Sequence, residues 1–315
     1  MRTLTVVNQK GGCGKTTTAV NLAAVMASRG ARVILIDLDP QSHCAAALGI
    51  PESGIESSAV DALLDPAGVP LDGLIWQPAP NLHVLPSTMG LSRLESAAGG
   101  LMSAWDRDRR LDQFLGRIAH RFDWAIIDCP PAIGLLTFNA IRACDEAIIP
   151  VETGFLALRG ARRQVSTFSA AIERMGRAVV LRLLPTMHRT DSKIGRDVLE
   201  AMGREFGELV VPLAIHSHEA LREAVALGQP ITEYAPASDA HDDFCRLHQW
   251  LCANPVEEHE RNVAPLVETI ATSEAEAHTA APMNGTAGAG RVEELARRLR
   301  AQADGISPPR GATSP

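Results

Sequence analysis

The sequence predicts a doubly wound α/β fold, a mostly parallel sheet flanked by helices on both faces. Three observations carry this. Between Thr3 and Leu251, short apolar, β-branched runs alternate with stretches of helical character. The runs are apolar throughout rather than at every second residue, as strands covered on both faces require. The helical connections between them imply right-handed parallel crossovers, because a strand cannot return parallel to its neighbour through a tight turn.

Taken in chain order, the first run is TLTVVN at 3–8, followed directly by the glycine-rich NQKGGCGKTT and a helical stretch. RVILID at 32–37 is the second strand, LHVLPS at 82–87 the third and WAIIDC at 124–129 the fourth. EAIIPV at 146–151 and AVVLRLLP at 178–185 continue the pattern, and LVVPLA at 209–214 is expected to be the last strand. Valine, isoleucine and leucine dominate each run, the residues that fit a pleated, buried surface. PASDAHDDFCRLHQWL at 236–251 has apolar residues at helical spacing and is expected to be a closing helix. The folded α/β domain is therefore placed at 1–253. Beyond it, 254–315 is rich in Ala, Gly, Thr and Glu without apolar period, which reads as a largely disordered tail with one short helix at 291–303. That helix offers only Val292, Leu295 and Leu299 as an apolar side, a poor membrane anchor.

A chain of 315 residues with 46% hydrophobic content buries a full core. No apolar run reaches the length of a membrane-spanning helix, and the N-terminus enters a strand without a signal peptide, so a cytoplasmic location is expected. The net charge of -7 confines any nucleic-acid contact to a local basic patch. The six cysteines, Cys13, Cys44, Cys129, Cys144, Cys245 and Cys252, show no zinc-ligand spacing and read as reduced, buried thiols.

The chemistry concentrates after the first strand. GGCGKTT between a strand and a helix is a phosphate-binding loop: Gly11, Gly12, Cys13, Gly14, Lys15, Thr16 and Thr17 turn their backbone N–H groups toward a β-phosphate at a helix N-terminus. Lys15 is expected to reach the β- and γ-oxygens of ATP, and the Thr16 hydroxyl to ligate Mg²⁺. Asp37 and Asp39 in ILIDLDPQ and Asp128 in WAIIDCPP stand at strand ends, beside the crevice that holds the loop. Asp128 suits a water-mediated contact to the Mg²⁺ ion. Lys10, on the other side of the glycines, has no evident role in its own loop.

KGGCGKTT with its leading Lys10, DLDPQ and IIDCPP together resemble the deviant Walker A ATPases, specifically the ParA branch. LLTFNAIRACDEAIIPVETGFLALRG at 135–160, LLPTMHR at 183–189 and EAVALGQPITEY at 223–234 extend the resemblance over about residues 2–252. It implies that Lys10 crosses a dimer interface onto the partner's ATP, so that the protein is a homodimer when ATP-bound. It also implies that Asp39 positions the attacking water, that Asp37 belongs to the Mg²⁺ shell, and that hydrolysis is slow until a ParB-like or cargo-adaptor protein stimulates it. PQSHCAAALG departs from the commoner PQGNAT at Ser42, His43 and Cys44. His43 as a base competes with an ordinary surface histidine, and the electropositive loop is a setting that lowers the pKa of Cys13.

The same resemblance implies nonspecific DNA binding and association with the nucleoid, through basic residues away from the nucleotide. The candidates are Arg159, Arg162, Arg163, Arg189, Lys193, Arg196 and Arg222, which read equally as solvated helix faces. LAIHSHEALREAV carries Ser217 and Ala220 where the family often has arginines, with His216 and His218 nearby. Two alternatives are a MinD-like regulator at the membrane and a metabolic relative performing iron–sulphur reduction or ATP-dependent ligation. Cys129 and Cys144 lack the glycine-rich surroundings an iron–sulphur reductase would need.

Overall fold

The computed structural model describes residues 1–96, 100–154 and 156–256, all within one compact unit. The helix expected at 291–303 lies outside the described residues. Seven strands, β1 (Arg2–Val6), β2 (Val33–Asp37), β3 (Trp76–Ala79), β4 (Leu82–Leu85), β5 (Trp124–Asp128), β6 (Glu146–Glu152) and β7 (Val180–Thr186), form one sheet in the order β3-β4-β2-β5-β1-β6-β7. Every pairing is parallel except β3 with β4, where Trp76–Ala79 returns as a short antiparallel edge.

The helices are α1 (Lys15–Ser28), α2 (His43–Ala47), α3 (Ala59–Leu64), α4 (Leu91–Leu94), α5 (Arg110–Ile118), α6 (Leu135–Ala143), α7 (Ala157–Met175), α8 (Lys193–Phe206), α9 (Glu219–Ala226), α10 (Ile231–Tyr234) and α11 (Asp239–Ala253). Side chains of a strand alternate between faces, so Ile34 and Ile36 pack with α3, α5 and α6 on one side while Val33 and Leu35 pack with α1 and α11 on the other. Two apolar layers thus sandwich the sheet. Local chemistry sets the helix starts: Ser58 and Asp61 close a capping box on α3, and Ser192 and Ser238 cap α8 and α11. Gly176, at φ 61, ends α7 in the left-handed region.

LVVPLA does not form the expected last strand. Leu209 ends a short 3-10 turn, and the segment pairs with β7 through one isolated bridge, Leu183 with Val210, a second bridge, His188 with His216, lying beyond it. Val211 donates to the Leu183 carbonyl, but the next carbonyl of β7, on Pro185, is taken by Ile215 rather than by Leu213, and Pro185 has no N–H to return, so the ladder stops after one bridge. The edge strand β3 escaped prediction for the complementary reason. WQPA contains a proline and no β-branched residue, and an outer edge tolerates both.

At the amino ends of the strands, Glu146 is fully buried between Arg2 (Nε–Oε1 2.6 Å) and the fully buried Arg182 (Nε–Oε2 2.5 Å). Arg182 stacks on Trp250, and both guanidinium groups donate to carbonyls at the end of α11: Arg2 to Leu251 and Arg182 to Asn254. This triad fastens the closing helix to the sheet. Replacing Glu146 with alanine leaves Arg182 charged, buried and unpaired, so we expect a loss of about 3–5 kcal/mol in urea unfolding. A loss below about 1 kcal/mol would show that the triad does not carry this load.

Candidate functional site

β1 delivers the chain into the loop between Val6 and α1, and Asn8 fixes its path. The Asn8 amide donates to the Pro150 carbonyl at 2.7 Å, and its Oδ1 accepts the Lys10 N–H at 2.9 Å. Gly12 (φ 69) and Gly14 (φ 90) hold left-handed backbone, which only glycine adopts without strain. A Cβ at Gly11 or Gly12 would meet nothing within 4 Å, so at Gly12 the backbone angle and not crowding demands glycine. No side chain caps α1 and no acidic residue lies in its first turn. The N–H groups of Lys15, Thr16 and Thr17 are therefore left for an anion at the positive end of the helix.

Lys15 is buried, and its ammonium donates to the Lys10 carbonyl at 3.2 Å. Lys10 points the other way. Its side chain is 59% exposed and pairs with Glu152 of the same chain, a surface ion pair worth about 0–1 kcal/mol and easily exchanged. The Cys13 thiol is buried and donates to the Lys10 carbonyl at 3.2 Å. Burial pushes its pKa up, outweighing the attraction of Lys15 and Lys10, which reverses the sequence expectation.

Parallel register brings the carboxylates together. Asp37 is paired with Asp128 across β2 and β5, and Asp128 lies opposite Val6, where the loop begins. Both are fully buried. Asp37 accepts the N–H groups of Asp39 (2.9 Å) and Cys44 (3.1 Å). Asp128 Oδ2 accepts the Thr16 hydroxyl at 2.6 Å and lies 3.5 Å from the Cys44 thiol, while its Oδ1 is buried without a partner. Burial, then the neighbouring Asp128 charge, pushes the Asp37 carboxyl up, and burial likewise raises Asp128 against the opposing Thr16 bond. Two adjacent buried carboxylates with one orphan oxygen, beside a hydroxyl whose lone pairs are open, make an oxygen donor set that fits Mg²⁺. Asp39 sits at the rim, 7% exposed, its Oδ1 accepting the Gln41 N–H at 3.0 Å. Ser42, standing where the motif commonly has glycine, takes φ 54 and donates its hydroxyl to the Ser87 carbonyl at 2.8 Å. His43 is exposed at the start of α2.

Other placements were not legible in the sequence. A cavity of about 330 Å³ beside Gly14, Thr17 and Thr18 is walled by Met187, Ile215, Leu221 and Val225, a largely apolar slot next to the loop. Thr186 ties β7 to the loop by donating to the Cys13 carbonyl at 2.9 Å. Met187 follows at φ 50, and this strained residue after β7 marks the slot. Cys129 and Cys144 are buried, with burial pushing the Cys129 thiol up to about 12, and five of the six cysteines are buried as expected, Cys252 being exposed.

The basic candidates do not form one patch. Arg159 and Arg163 line a cavity with Lys10, on the nucleotide side rather than away from it. Arg162 pairs with Glu205. Arg189, paired with Asp191, and Arg222, paired with Glu219, line a second cavity with Arg29 and Arg246. Lys193 and Arg196 are exposed on α8, Arg196 also donating to the Thr190 carbonyl. Among the described residues, no helix is long and apolar enough to cross a membrane.

Residues 1–180 match the family model for an AAA domain. Sporulation initiation inhibitor protein Soj of Bacillus subtilis is 35% identical over 252 residues, covering 80% of this chain and 98% of Soj. Chromosome partitioning protein ParA of Caulobacter vibrioides is 34% identical over 241 residues, 74% of this chain and 87% of that protein. Among solved structures, cobyrinic acid a,c-diamide synthase of Mycobacterium smegmatis with bound ATP analog and magnesium superposes with a TM-score of 0.66 at 27% identity, over 79% of this chain and 93% of that one.

The raised Asp128 value carries a sign. Its carboxyl ionises more readily in the unfolded chain, so stability is lost as pH rises from the ordinary value of 3.8 through the higher folded one. In nucleotide-free, chelator-treated protein, Asp128→Asn is expected to melt above wild type near pH 8, the gap closing as pH falls toward about 4. Equal melting at both pH values would mean that the carboxylate is not under electrostatic stress.

Proposed function

The chain belongs to the ParA family of P-loop ATPases, and on that premise we propose that it is an ATP-timed dimer switch that partitions DNA or positions a cargo over the nucleoid. The observation that carries this reading is the division of the two loop lysines. Lys15 is folded into its own loop, whereas Lys10 stands at the surface on a weak, exchangeable ion pair with Glu152. A second subunit offering ATP phosphates gives Lys10 a stronger partner than Glu152, so nucleotide and dimerisation become linked.

In the proposed mechanism the loop N–H groups and Lys15 hold the phosphates of ATP, and the base enters the slot beside Met187. Thr16, Asp37 and Asp128 would hold Mg²⁺, which supplies neutralising charge at the phosphates when bound. Asp39, at the rim, orients the attacking water, and the partner's Lys10 completes the charge balance. A ParB-like or cargo-adaptor protein accelerates turnover. Arg189, Lys193, Arg196 and Arg222 supply phosphate contacts to nonspecific duplex DNA, doubled in the dimer. A ligase-type metabolic role is the other reading suggested by structural likeness. It is weaker, because Soj is more similar in sequence along almost its whole length.

Light scattering should find wild type dimeric with ATP, Lys10→Ala monomeric with ATP still bound, and Lys15→Ala deficient in nucleotide binding. A Lys10→Ala protein that dimerises and hydrolyses like wild type would sink the proposal. Asp39→Ala should lower turnover by about 10²-fold or more with little change in ATP affinity.

DNA binding should require ATP rather than ADP and weaken with salt. The Arg189→Ala/Lys193→Ala/Arg196→Ala triple should show a slope shallower by about 0.9 per lost contact. ATP-bound wild type that ignores duplex DNA at low salt would replace the nucleoid with another scaffold.

A further inference from the structure

Where the family often carries arginines, this chain places a convergent set of imidazole and carboxylate groups. Just before α9, the His216 Nδ1 lies 2.9 Å and the His218 Nε2 3.0 Å from the same oxygen, Oδ2 of Asp243 on α11. The His216 backbone N–H also donates to that oxygen at 2.8 Å. Three N–H donors on one carboxylate oxygen exceed its two in-plane lone pairs. Imidazole lone pairs turned toward that oxygen would instead set three electron-rich atoms against one another, an arrangement that a cation between them would hold together.

We propose that His216, His218 and Asp243 bind one divalent transition-metal ion of the Zn²⁺ type, clamping the segment ahead of α9 to the closing helix. The three ligand atoms lie within 4.8 Å of one another. Bonds of about 2.0–2.1 Å at tetrahedral angles separate ligands by about 3.3 Å, so each histidine nitrogen need move only a few tenths of an ångström away from the Asp243 oxygen. The supporting shell exists: Arg246 donates to the other oxygen of Asp243, fixing the carboxylate as ligating carboxylates usually are fixed. Asp243 is fully buried, while His216 and His218 keep 28% and 21% of their side chains exposed toward a cavity of about 1140 Å³, which supplies an entry path and room for a water as fourth ligand. The His188 ring, 5.5 Å from His216, stands behind the pair with its Nδ1 engaged by the Thr153 hydroxyl. Imidazole ligands select Zn²⁺, Co²⁺, Ni²⁺ or Cu²⁺ over Mg²⁺, which sets this site apart from the carboxylate pair Asp37 and Asp128 with the Cys44 thiol beside it. The inference does not depend on the partitioning role.

The test uses the full-length, nucleotide-free protein with Mg²⁺ in large excess, titrated with Co²⁺ and followed by visible d–d absorption. We expect one Co²⁺ per chain, displaced by Zn²⁺, and a higher melting temperature with Zn²⁺. His216→Asn and His218→Asn, both at partly exposed positions, should each weaken binding by about tenfold or more and lose the thermal shift. Cys252→Ser, which removes the exposed thiol, should bind like wild type. No Co²⁺ band in wild type, a band that survives unchanged in both histidine variants, or one lost in Cys252→Ser would overturn the site.

Discussion

The pairing of β2 with β5 that sets Asp37 against Asp128 is the constraint on which the rest of the site depends. Burying two carboxylates side by side is unfavourable, and the fold offers them only two backbone N–H groups, one hydroxyl and a thiol. The register permits no escape, because slipping one residue would turn each aspartate to the other face of the sheet and expel the apolar residues beside it. The stress resides in the nucleotide-free protein, and a cation held between the two carboxylates would relieve it. That is the usual exchange of stability for function at an active site.

The loop solves a different problem. It must expose backbone N–H groups without filling the space in front of them, and left-handed Gly12 and Gly14 achieve this while Asn8 and Thr186 anchor the loop to β6 and β7. Lys15 and Lys10 diverge because the chain reverses direction between them. One ammonium is drawn inside and the other is left at the surface on a pair that costs little to break. Intramolecular chemistry therefore ends at Lys15, and Lys10 is available to a second molecule.

The closing helix α11 links the two ends of the sheet. Near its C-terminus it receives Arg2 and Arg182, and through Asp243 it holds the segment before α9, which also walls the apolar slot beside the loop. Its attachment is thus polar at both sites, over an apolar face formed by Phe244, Leu247 and Leu251. Polar links of this kind fix where a helix sits along its axis, which apolar packing alone leaves loosely defined.

The sequence by itself determined the doubly wound fold, the places of six of the seven strands along the chain, the loop and the three aspartates at strand ends, since each is written locally: continuous apolar runs, glycines at fixed offsets and carboxylates at strand ends. It misread LVVPLA, where composition favoured a strand but Pro185 on β7 has no N–H to continue the ladder, and it passed over β3, whose edge position relaxes the usual composition. Only the tertiary structure decided what depends on burial and on distant segments meeting. The raised Cys13 thiol, the apolar slot built from three chain segments, the scatter of the basic residues and the convergence of His216 and His218 on Asp243 are of this kind. The physical reason is common to them: desolvation and convergence are properties of three-dimensional neighbours, and no local pattern in the chain encodes which residues those will be.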